Sequence, residues 1–340
     1  MPYTTNDFDY ALPEDLIAQE PVAERGASRL LVVRRGDGLE DRRFPAIVDL
    51  IPPGDLLVLN TTRVRHARFL GTRPSGAAAE VLLIHPSTDG KWIAIGKPGS
   101  ALRAGKRISI DGGEIETVAV LDEGFREVRF VGITAEDAIA RAGRLPLPPY
   151  IERAPTAVDE VRYQTVYAER EGSVAAPTAG LHFTPAILEA LRAKGVQIVT
   201  LDLEVGPGTF KPVEVVDPAT HPMHEERYTI PAATADTIAA LRARGGRLWA
   251  VGTTVVRALE SSAAGGGLVH AGERGTRLLI TPGYQFQVVD RLLTNFHLPR
   301  STLVMLVAAF AGYDTAMTAY RHAVAARYRF YSYGDAMVIL

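Results

Sequence analysis

The pattern of apolar and polar positions changes character twice along the chain. Near the start, Leu56-Leu57-Val58-Leu59 is a continuous apolar run, opened by Pro52-Pro53-Gly54 and closed by Asn60. A short run without polar alternation, punctuated by Pro and Gly, predicts a strand buried on both faces. From about 66 to 132 the runs are brief and bounded by Gly, Pro, Ser and Asp: Glu80–Ile84, Trp92–Ile95, Arg107–Ile110 and Glu127–Val131. None carries a helical period, so this stretch predicts a small antiparallel barrel or sandwich. Thr134 opens a short capped helix ending at Gly143. The three prolines of Leu145–Tyr150 then predict a stiff extended connector.

From about 152, helices and strands alternate. Pro185–Lys194 predicts a helix with Pro in its first turn and Gly195 at its end, followed by a strand over Val196–Val205. Ala232–Arg244 predicts another helix, followed by a strand over Arg247–Val251. Arg277–Ile280 reads as a further strand. Ser301 caps an apolar helix Thr302–Ala311, Asp314 caps a helix running to about Tyr328, and Ala336–Leu340 closes as a strand. Such alternation predicts a parallel α/β unit. The simplest organisation is one discontinuous α/β domain, residues 1–65 and 146–340, with a β domain inserted over 66–145.

Composition narrows the class. With 47% hydrophobic and 22% charged residues, the 340-residue chain has the balance of a globular protein. The absence of cysteine excludes disulfides, thiolate nucleophiles and cysteine-ligated metals. The longest apolar run, Leu303–Ala311, is far short of the roughly 20 residues of a membrane span. Asp7, Asp9, Glu14 and Asp15 stand where a signal peptide needs a basic then apolar start. A cytoplasmic protein without a membrane partner is expected. The net charge of −2 offers no global pull on a polyanion, so nucleic-acid binding has to be local. Only five of the 37 basic residues are lysine, and arginine is the better binder of phosphates and bases.

In parallel sheets, functional groups gather beyond the carboxyl ends of the strands. Three polar clusters take that position: Asn60-Thr61-Thr62-Arg63; Pro177–Phe183 with Thr178, Gly180 and His182; and Gly252-Thr253-Thr254 with Arg257. Each reads equally well as an ordinary strand-to-helix turn, and none is a Walker or G-x-G-x-x-G loop. Glu204 ends an alternating strand beside Gly206, as a pocket wall or as a solvated edge. His221–Glu226 holds two histidines and two acids. Its spacing is not H-E-x-x-H and no third ligand cluster accompanies it, so no metal is expected. Acid–base work suits it better, with His224 as base and Glu226 as its orienter or as the base itself. Asn295 and His297, between a strand and an apolar helix, have no local structural purpose.

His182, His224, Glu226, Asn295 and His297 are therefore expected to converge on one pocket as catalytic groups. Asn60, Arg63, Thr178, Gly180, Glu204, Thr253, Thr254 and Arg257 are the expected substrate contacts. Two basic patches remain. Arg63, Arg65, Arg68 and Arg73 have no acid among residues 63–79, and Arg321, His322, Arg327 and Arg329 interleave with Tyr320, Tyr328, Phe330, Tyr331 and Tyr333. Charge for phosphates and rings for unstacked bases are what looped RNA needs. A helix burying its tyrosines has the same pattern. Arg65, Arg68, Arg327, Arg329 and Tyr331 are the expected RNA contacts, the two patches flanking one pocket mouth.

Taken in order, these segments resemble the S-adenosylmethionine:tRNA ribosyltransferase-isomerase family of queuosine biosynthesis. The resemblance runs through Phe8-Asp9-Tyr10, Ser28-Arg29-Leu30-Leu31, Ala175–Phe183, Met223-His224, Ala250–Thr254, Thr294–Pro299 and Tyr328–Met337. Two positions depart from the family pattern. Thr61 stands for the acid of Asn-Asp-Thr-Arg-Val, and Glu204 for the histidine before Val205-Gly206, so neither inherits that residue's role. The resemblance implies a large α/β barrel-like domain carrying a small inserted antiparallel β-barrel. It implies transfer of the ribosyl part of S-adenosylmethionine to 7-aminomethyl-7-deazaguanine at the wobble position of a tRNA with a GUN anticodon. Adenine and methionine leave, and no cofactor beyond S-adenosylmethionine as co-substrate is needed. A monomer is expected. Two rival readings stand beside it. An ordinary adenosylmethionine-dependent methyltransferase lacks support from any glycine-rich strand turn, and a non-catalytic RNA-binding protein leaves His182, His224 and Asn295 without a purpose.

Overall fold

Leu56–Asn60 is buried along its whole length because strands cover both its edges and apolar layers cover both its faces. It runs parallel to Gln197–Leu203 on one side and to Leu248–Val251 on the other, and Arg291–Asn295 continues the parallel set. These observations come from a computed structural model that describes residues 3–36, 38–206 and 213–340. The four strands are the centre of a nine-stranded mixed sheet. Beyond Gln197–Leu203 lie the antiparallel Glu226–Ile230 and Gly272–Thr276. Beyond Arg291–Asn295 lie Ala336–Ile339, Arg29–Arg34 and Gly38–Arg43.

Alternation along each strand divides the core in two. Leu31, Val33, Leu56, Val58, Leu248 and Ala250 face one apolar layer, together with residues of helices Ala232–Ala243, Thr253–Ser261, Thr302–Ala311 and Tyr313–Ala325. Leu30, Val32, Leu57, Leu59, Trp249 and Val251 face the other, against Ile187, Leu188 and Leu191 of helix Pro185–Ala193. Helices on both faces of a largely parallel centre are the expected α/β arrangement. The sheet order runs from edge to edge without closing, so the barrel-like form expected of the large unit is replaced by an open sheet.

Residues 68–131 supply a separate six-stranded antiparallel sheet, closed in the order Arg126–Val131, Trp92–Lys97, Ala78–Pro86, Arg68–Thr72, Arg107–Ile110 and Gly113–Val120. Its own core, with Phe69, Val81, Leu83, Trp92, Ile108, Ile115 and Val128, shares no residue with the two layers above. None of its strands enters the large sheet.

Most local signals are realised in the structure. Thr134 accepts from Asp137 N at 3.1 Å and starts helix Ala135–Ala142; Ser301 accepts from Val304 N at 3.3 Å and starts Thr302–Ala311. Two expectations fail. Asp314 lies in the first turn of Tyr313–Ala325 but does not cap it; Gly312, at φ +90°, makes the sharp entry from the preceding helix. Arg277–Ile280 is not a strand. Gly272–Thr276 is the strand, and after it Arg257 Nε takes the carbonyl of Leu278 at 2.9 Å, so a side chain fills the place of a neighbouring strand.

The connector Leu145–Pro148 is buried. Leu147 N donates to the Leu145 carbonyl at 3.2 Å, in a tight turn rather than in a fully extended run. The segment after it is anchored by Asp159. This fully buried carboxylate accepts both arms of Arg153 (2.6 and 2.8 Å), the hydroxyl of Tyr333 (2.7 Å), and the amide and hydroxyl of Thr156 (2.7 and 2.8 Å). Burial alone raises a carboxyl pKa, but these hydrogen bonds outweigh it and hold Asp159 well below the usual carboxylate range. Asp159→Ala strands Arg153 and Tyr333 and is expected to lower the unfolding free energy by about 3–5 kcal/mol in urea titration. Tyr333→Phe, which removes one donor, should cost only about 1 kcal/mol.

Candidate active site

Two adjoining cavities open where the parallel strands end. The first, about 60 Å³, collects the ends of three segments: Ala176–Ala179, Gly252–Thr254 after Leu248–Val251, and Thr294–Leu298 after Arg291–Asn295. Gly252 makes its turn at φ +93°, which a side chain resists, and this lets helix Thr253–Ser261 begin directly at the cavity. Tyr150 and Tyr331 complete the lining, their rings 4.3 Å apart. Two buried polar atoms of this lining, Thr254 Oγ1 and the Tyr331 hydroxyl, have no hydrogen-bond partner among the described residues, while Asn295 is hydrogen-bonded by His182. Unmet buried polar atoms are costly, and two around one hollow point to a ligand that meets them.

The second cavity, about 40 Å³, is lined by Gly206, His221, Met223, His224, Glu226, Arg257 and residues of the loop Leu278–Ile280. Leu303 lines both cavities. Here the polar groups are charged. Arg257 Nη1 donates to Glu226 Oε2 in a short buried ion pair, and Glu226 Oε1 also accepts from Gly206 N at 3.2 Å. His224 Nδ1 lies 2.6 Å from Glu123 Oε2, although the pair is not aligned as a hydrogen bond. The Phe125 ring meets the imidazole edge-on at 5.4 Å. Both partners come from the turn before strand Arg126–Val131 of the small sheet.

The five expected catalytic groups are thus distributed over two cavities and a support behind them. Asn295 and His297 line the first cavity, and His224 and Glu226 line the second. His182 lies outside both, its Nδ1 2.7 Å from the Ser28 hydroxyl and its side chain also hydrogen-bonded to Asn295. Burial pushes its pKa down to about 4, Asn295 opposing and the Arg25 charge adding to the shift. His297 Nε2 lies 2.8 Å from Thr294 Oγ1, and burial pushes its pKa down to about 3. Both imidazoles are neutral at pH 7. They act there as hydrogen-bonding groups.

A family model described as queuosine biosynthesis protein matches residues 5–339. The chain belongs to this family. It is 53% identical over 339 residues, 98% of each chain, to an S-adenosylmethionine:tRNA ribosyltransferase-isomerase from Anaeromyxobacter sp. (strain Fw109-5). Similarity to the protein of the same name from Azoarcus sp. (strain BH72) is also 53%, over all of this chain and 98% of that one. Among solved structures, the S-adenosylmethionine tRNA ribosyltransferase of Thermotoga maritima superposes with a TM-score of 0.56 at 38% identity. That match covers 98% of this chain and all of the other.

Of the expected substrate contacts in this queuosine family member, Thr178, Thr253 and Thr254 line the first cavity and Arg257 the second. Four do not reach either. Asn60 is fully buried, its carboxamide engaged by the backbone of Leu203 and Thr62. Gly180 is a packing site, since a Cβ there would sit 2.1 Å from the Tyr167 hydroxyl oxygen. Arg63 donates to the Ala168 carbonyl at 2.6 Å. Glu204 turns into a separate depression with Glu171, Asp202 and Arg227, because strand alternation sends it opposite to Val205. Thr61, the other departure from the family pattern, donates to Asp202 Oδ1 at 2.7 Å.

Among the expected RNA contacts, Arg65 lies over the Trp92 ring at 5.0 Å and 3.9 Å from Glu171. Arg327 is paired to Asp15, and Arg329 donates to the Glu20 carbonyl. Tyr331 lines the first cavity instead of the surface. Arg68 pairs with Glu80 at 2.8 Å but lines a larger cleft, about 740 Å³, between the small sheet and the proline connector. Sequence reasoning missed Tyr150, Ser28, Glu123 and Phe125. Tyr150 had a signal at the end of the proline connector, and Ser28 had one in the segment Ser28-Arg29-Leu30-Leu31 that carries the family resemblance.

The neutral histidines carry a pH signature. The unfolded chain binds protons at His182 and His297 near pH 6.5, while the folded protein refuses them until about pH 4 or below. The unfolded state therefore holds more protons in this window, and stability falls as pH drops from 6.5 towards 4. Urea titrations at pH 7.0, 5.5 and 4.5 should show this fall in the parent and a flatter profile in His182→Asn and His297→Gln. Parallel profiles in parent and variants would contradict the assignment.

Proposed function

We propose that the protein transfers and isomerises the ribosyl part of S-adenosylmethionine onto the aminomethyl group of 7-aminomethyl-7-deazaguanine in the tRNA wobble position. Epoxyqueuosine-tRNA, adenine and methionine are the products. Family membership supports the reaction class, and relatives bearing this activity in their names match along nearly the full chain. The observation that carries it at the site is the pair of neighbouring cavities at the strand ends, which share Leu303 as a wall. One is aromatic with uncharged unmet polar atoms, and the other is charged with His224 at its wall. A co-substrate with a purine at one end and an amino acid at the other fits that division.

The sulfonium acidifies the neighbouring 5′ carbon, and His224 is the group we assign to remove that proton. The C5′ electron pair forms a C4′=C5′ double bond as C4′–O4′ breaks, and O4′ becomes the C1′ carbonyl as the C1′–N9 pair leaves with adenine, which takes up a proton. The RNA amine adds to C4′ in its neutral form and gives up a proton to a second acceptor. The C5′ electron pair so restored closes on C1′, and the C1′ oxygen displaces sulfur from C5′, so the epoxide forms as the carbon–sulfur pair leaves with methionine. Glu123 holds the imidazole through Nδ1, and Asn295 with the neutral His297 offers hydrogen bonds to the heterocycle. S-adenosylmethionine serves as co-substrate, and the steps call for no redox partner.

The tRNA substrate has a GUN anticodon in this reading. The cleft beside the small sheet, with Arg68, Lys97 and Arg144 on its walls, is the surface we assign to its backbone. Residues 149–151 and 174–177 border this cleft on one side and the first cavity on the other, which gives the wobble base a short path inward. We infer domains 1–65 with 146–340 and an insertion at 66–145, supported by the separate sheets and cores. One chain lines both cavities, so a monomer is sufficient. Among the described residues no single helix is long and apolar enough to cross a membrane, and a tRNA substrate suits the cytoplasm.

Incubation with S-adenosylmethionine and precursor tRNA tests the reading directly. Adenine and methionine are expected; adenosylhomocysteine would indicate methyl transfer, and no product a binding protein. His224→Ala should lower turnover by roughly 10²–10⁴-fold with little change in tRNA affinity. Arg144→Ala should weaken tRNA binding and reduce the logarithmic salt slope by roughly 0.7–0.9, while sparing S-adenosylmethionine affinity.

A further inference from the structure

Arg257 holds an unusual position for a buried arginine. It sits in the middle of helix Thr253–Ser261, is 7% exposed, and lines the second cavity. Two of its three guanidinium nitrogens are engaged: Nε donates to the Leu278 carbonyl at 2.9 Å, and Nη1 donates to Glu226. Nη2 is buried and has no partner among the described residues. A guanidinium is protonated at every accessible pH and only donates, so an unmet nitrogen needs an acceptor. Leaving such a buried donor unmet is expensive.

Glu226 presents the complementary half. Its two oxygens accept from Arg257 Nη1 and Gly206 N, and each carboxylate oxygen has room for a second donor. The pair is internally balanced, so the cavity has no net charge to give an anion alone or a cation alone. A dipolar ligand suits it best: a carboxylate for Nη2 and an ammonium for Glu226.

We propose that the second cavity receives the zwitterionic head of an α-amino acid. The α-carboxylate is held by Arg257 Nη2 and the α-ammonium by Glu226. Resting on the function proposed above, this is the methionine end of S-adenosylmethionine. Leu303, common to both cavities, then lies beside the sulfonium, and His224 lines the same second cavity. Glu226 is thereby a binding residue, occupied by the head group rather than by the reacting carbon. A planar guanidinium can keep Leu278 and Glu226 on Nε and Nη1 while Nη2 reaches the carboxylate, a division that lysine does not reproduce.

The test compares S-adenosylmethionine with its decarboxylated analogue, which keeps the adenosine, the sulfonium and the amine. Calorimetric binding to the full-length protein should favour the parent ligand by roughly 10–100-fold, the range of a charge-assisted hydrogen bond. In Arg257→Gln the preference should shrink to near unity while affinity for the decarboxylated ligand stays within a few-fold. Because Arg257→Gln leaves Glu226 buried and alone, Arg257→Gln/Glu226→Gln is measured beside it, with a melting curve to confirm folding. Equal binding of both ligands by the unaltered protein, or a preference that survives in the folded double variant, overturns the head-group site. Product formation from precursor tRNA by the unaltered protein keeps these outcomes separate from the reaction itself. If S-adenosylmethionine neither binds nor reacts, the functional reading fails first.

Discussion

The carboxamide of Asn60 sets where the central strands part company. Strand Leu56–Asn60 pairs with Gln197–Leu203 up to the register Leu201 opposite Asn60. Beyond that point, Asn60 Nδ2 donates to the Leu203 carbonyl at 3.0 Å. Its Oδ1 accepts from Leu203 N and Thr62 N, both at 3.1 Å. A fully buried side chain thus makes the hydrogen bonds that a continuing strand would have made. Ser173 Oγ takes the next amide, Val205 N, at 2.8 Å and contacts Thr62 Oγ1 at the same distance. With their backbone groups satisfied, the chains separate without leaving buried donors unmet. That release brings Val205 to the first cavity and Gly206 to the second.

The polar character of the two cavities differs for a physical reason. In the first, every titratable or hydrogen-bonding group is neutral. Burial holds His297 unprotonated and raises the Tyr150 and Tyr331 hydroxyls above their ordinary range, so the lining offers fixed dipoles without charge. In the second, Arg257 and Glu226 are joined in a buried ion pair, each facing the opposite group. A purine, with many weak donors and acceptors, is matched by dipoles. A zwitterion is matched by opposed charges.

Local order is legible in the chain, and long-range bonding is not. Leu56–Asn60 can be read because an apolar run bounded by Pro-Gly has few alternatives, and the helix beginning at Thr302 because Ser301 bonds only three residues ahead. The separate small sheet follows from its short, helix-free runs. Asn60 misleads because its partners lie 143 residues away and its neighbours look like a polar loop at a strand end. Arg277–Ile280 looks like a strand because it is a short apolar run, yet its backbone is met by Arg257 from 21 residues upstream. His297 and Asn295 can be singled out because polar groups next to so apolar a helix lack a local role. Which cavity each lines depends on strand order, and nothing in the residue pattern reports that. The basic patches look like free charge, but Asp15, Glu80 and Glu171 pair with their arginines from other parts of the chain.

Glu123 shows that the inserted unit is part of the site. It sits at φ +57° in the turn Asp122–Gly124, a conformation few non-glycine residues adopt, and Gly124 comes next at φ +85°. That backbone carries the carboxylate to His224 while Phe125 covers the ring. A histidine that meets a residue from another sheet is only as well placed as the join between the two sheets. The join is correspondingly stiff. The connector Leu145–Pro148 is buried and fixed by proline, and just beyond it Arg153 and Asp159 tie the chain to Tyr333 near the first cavity. Two such restraints on one side of the insertion limit how far Glu123 can drift from the imidazole. The insertion thus contributes twice, as one wall of the large cleft and as the source of the carboxylate and ring beside His224.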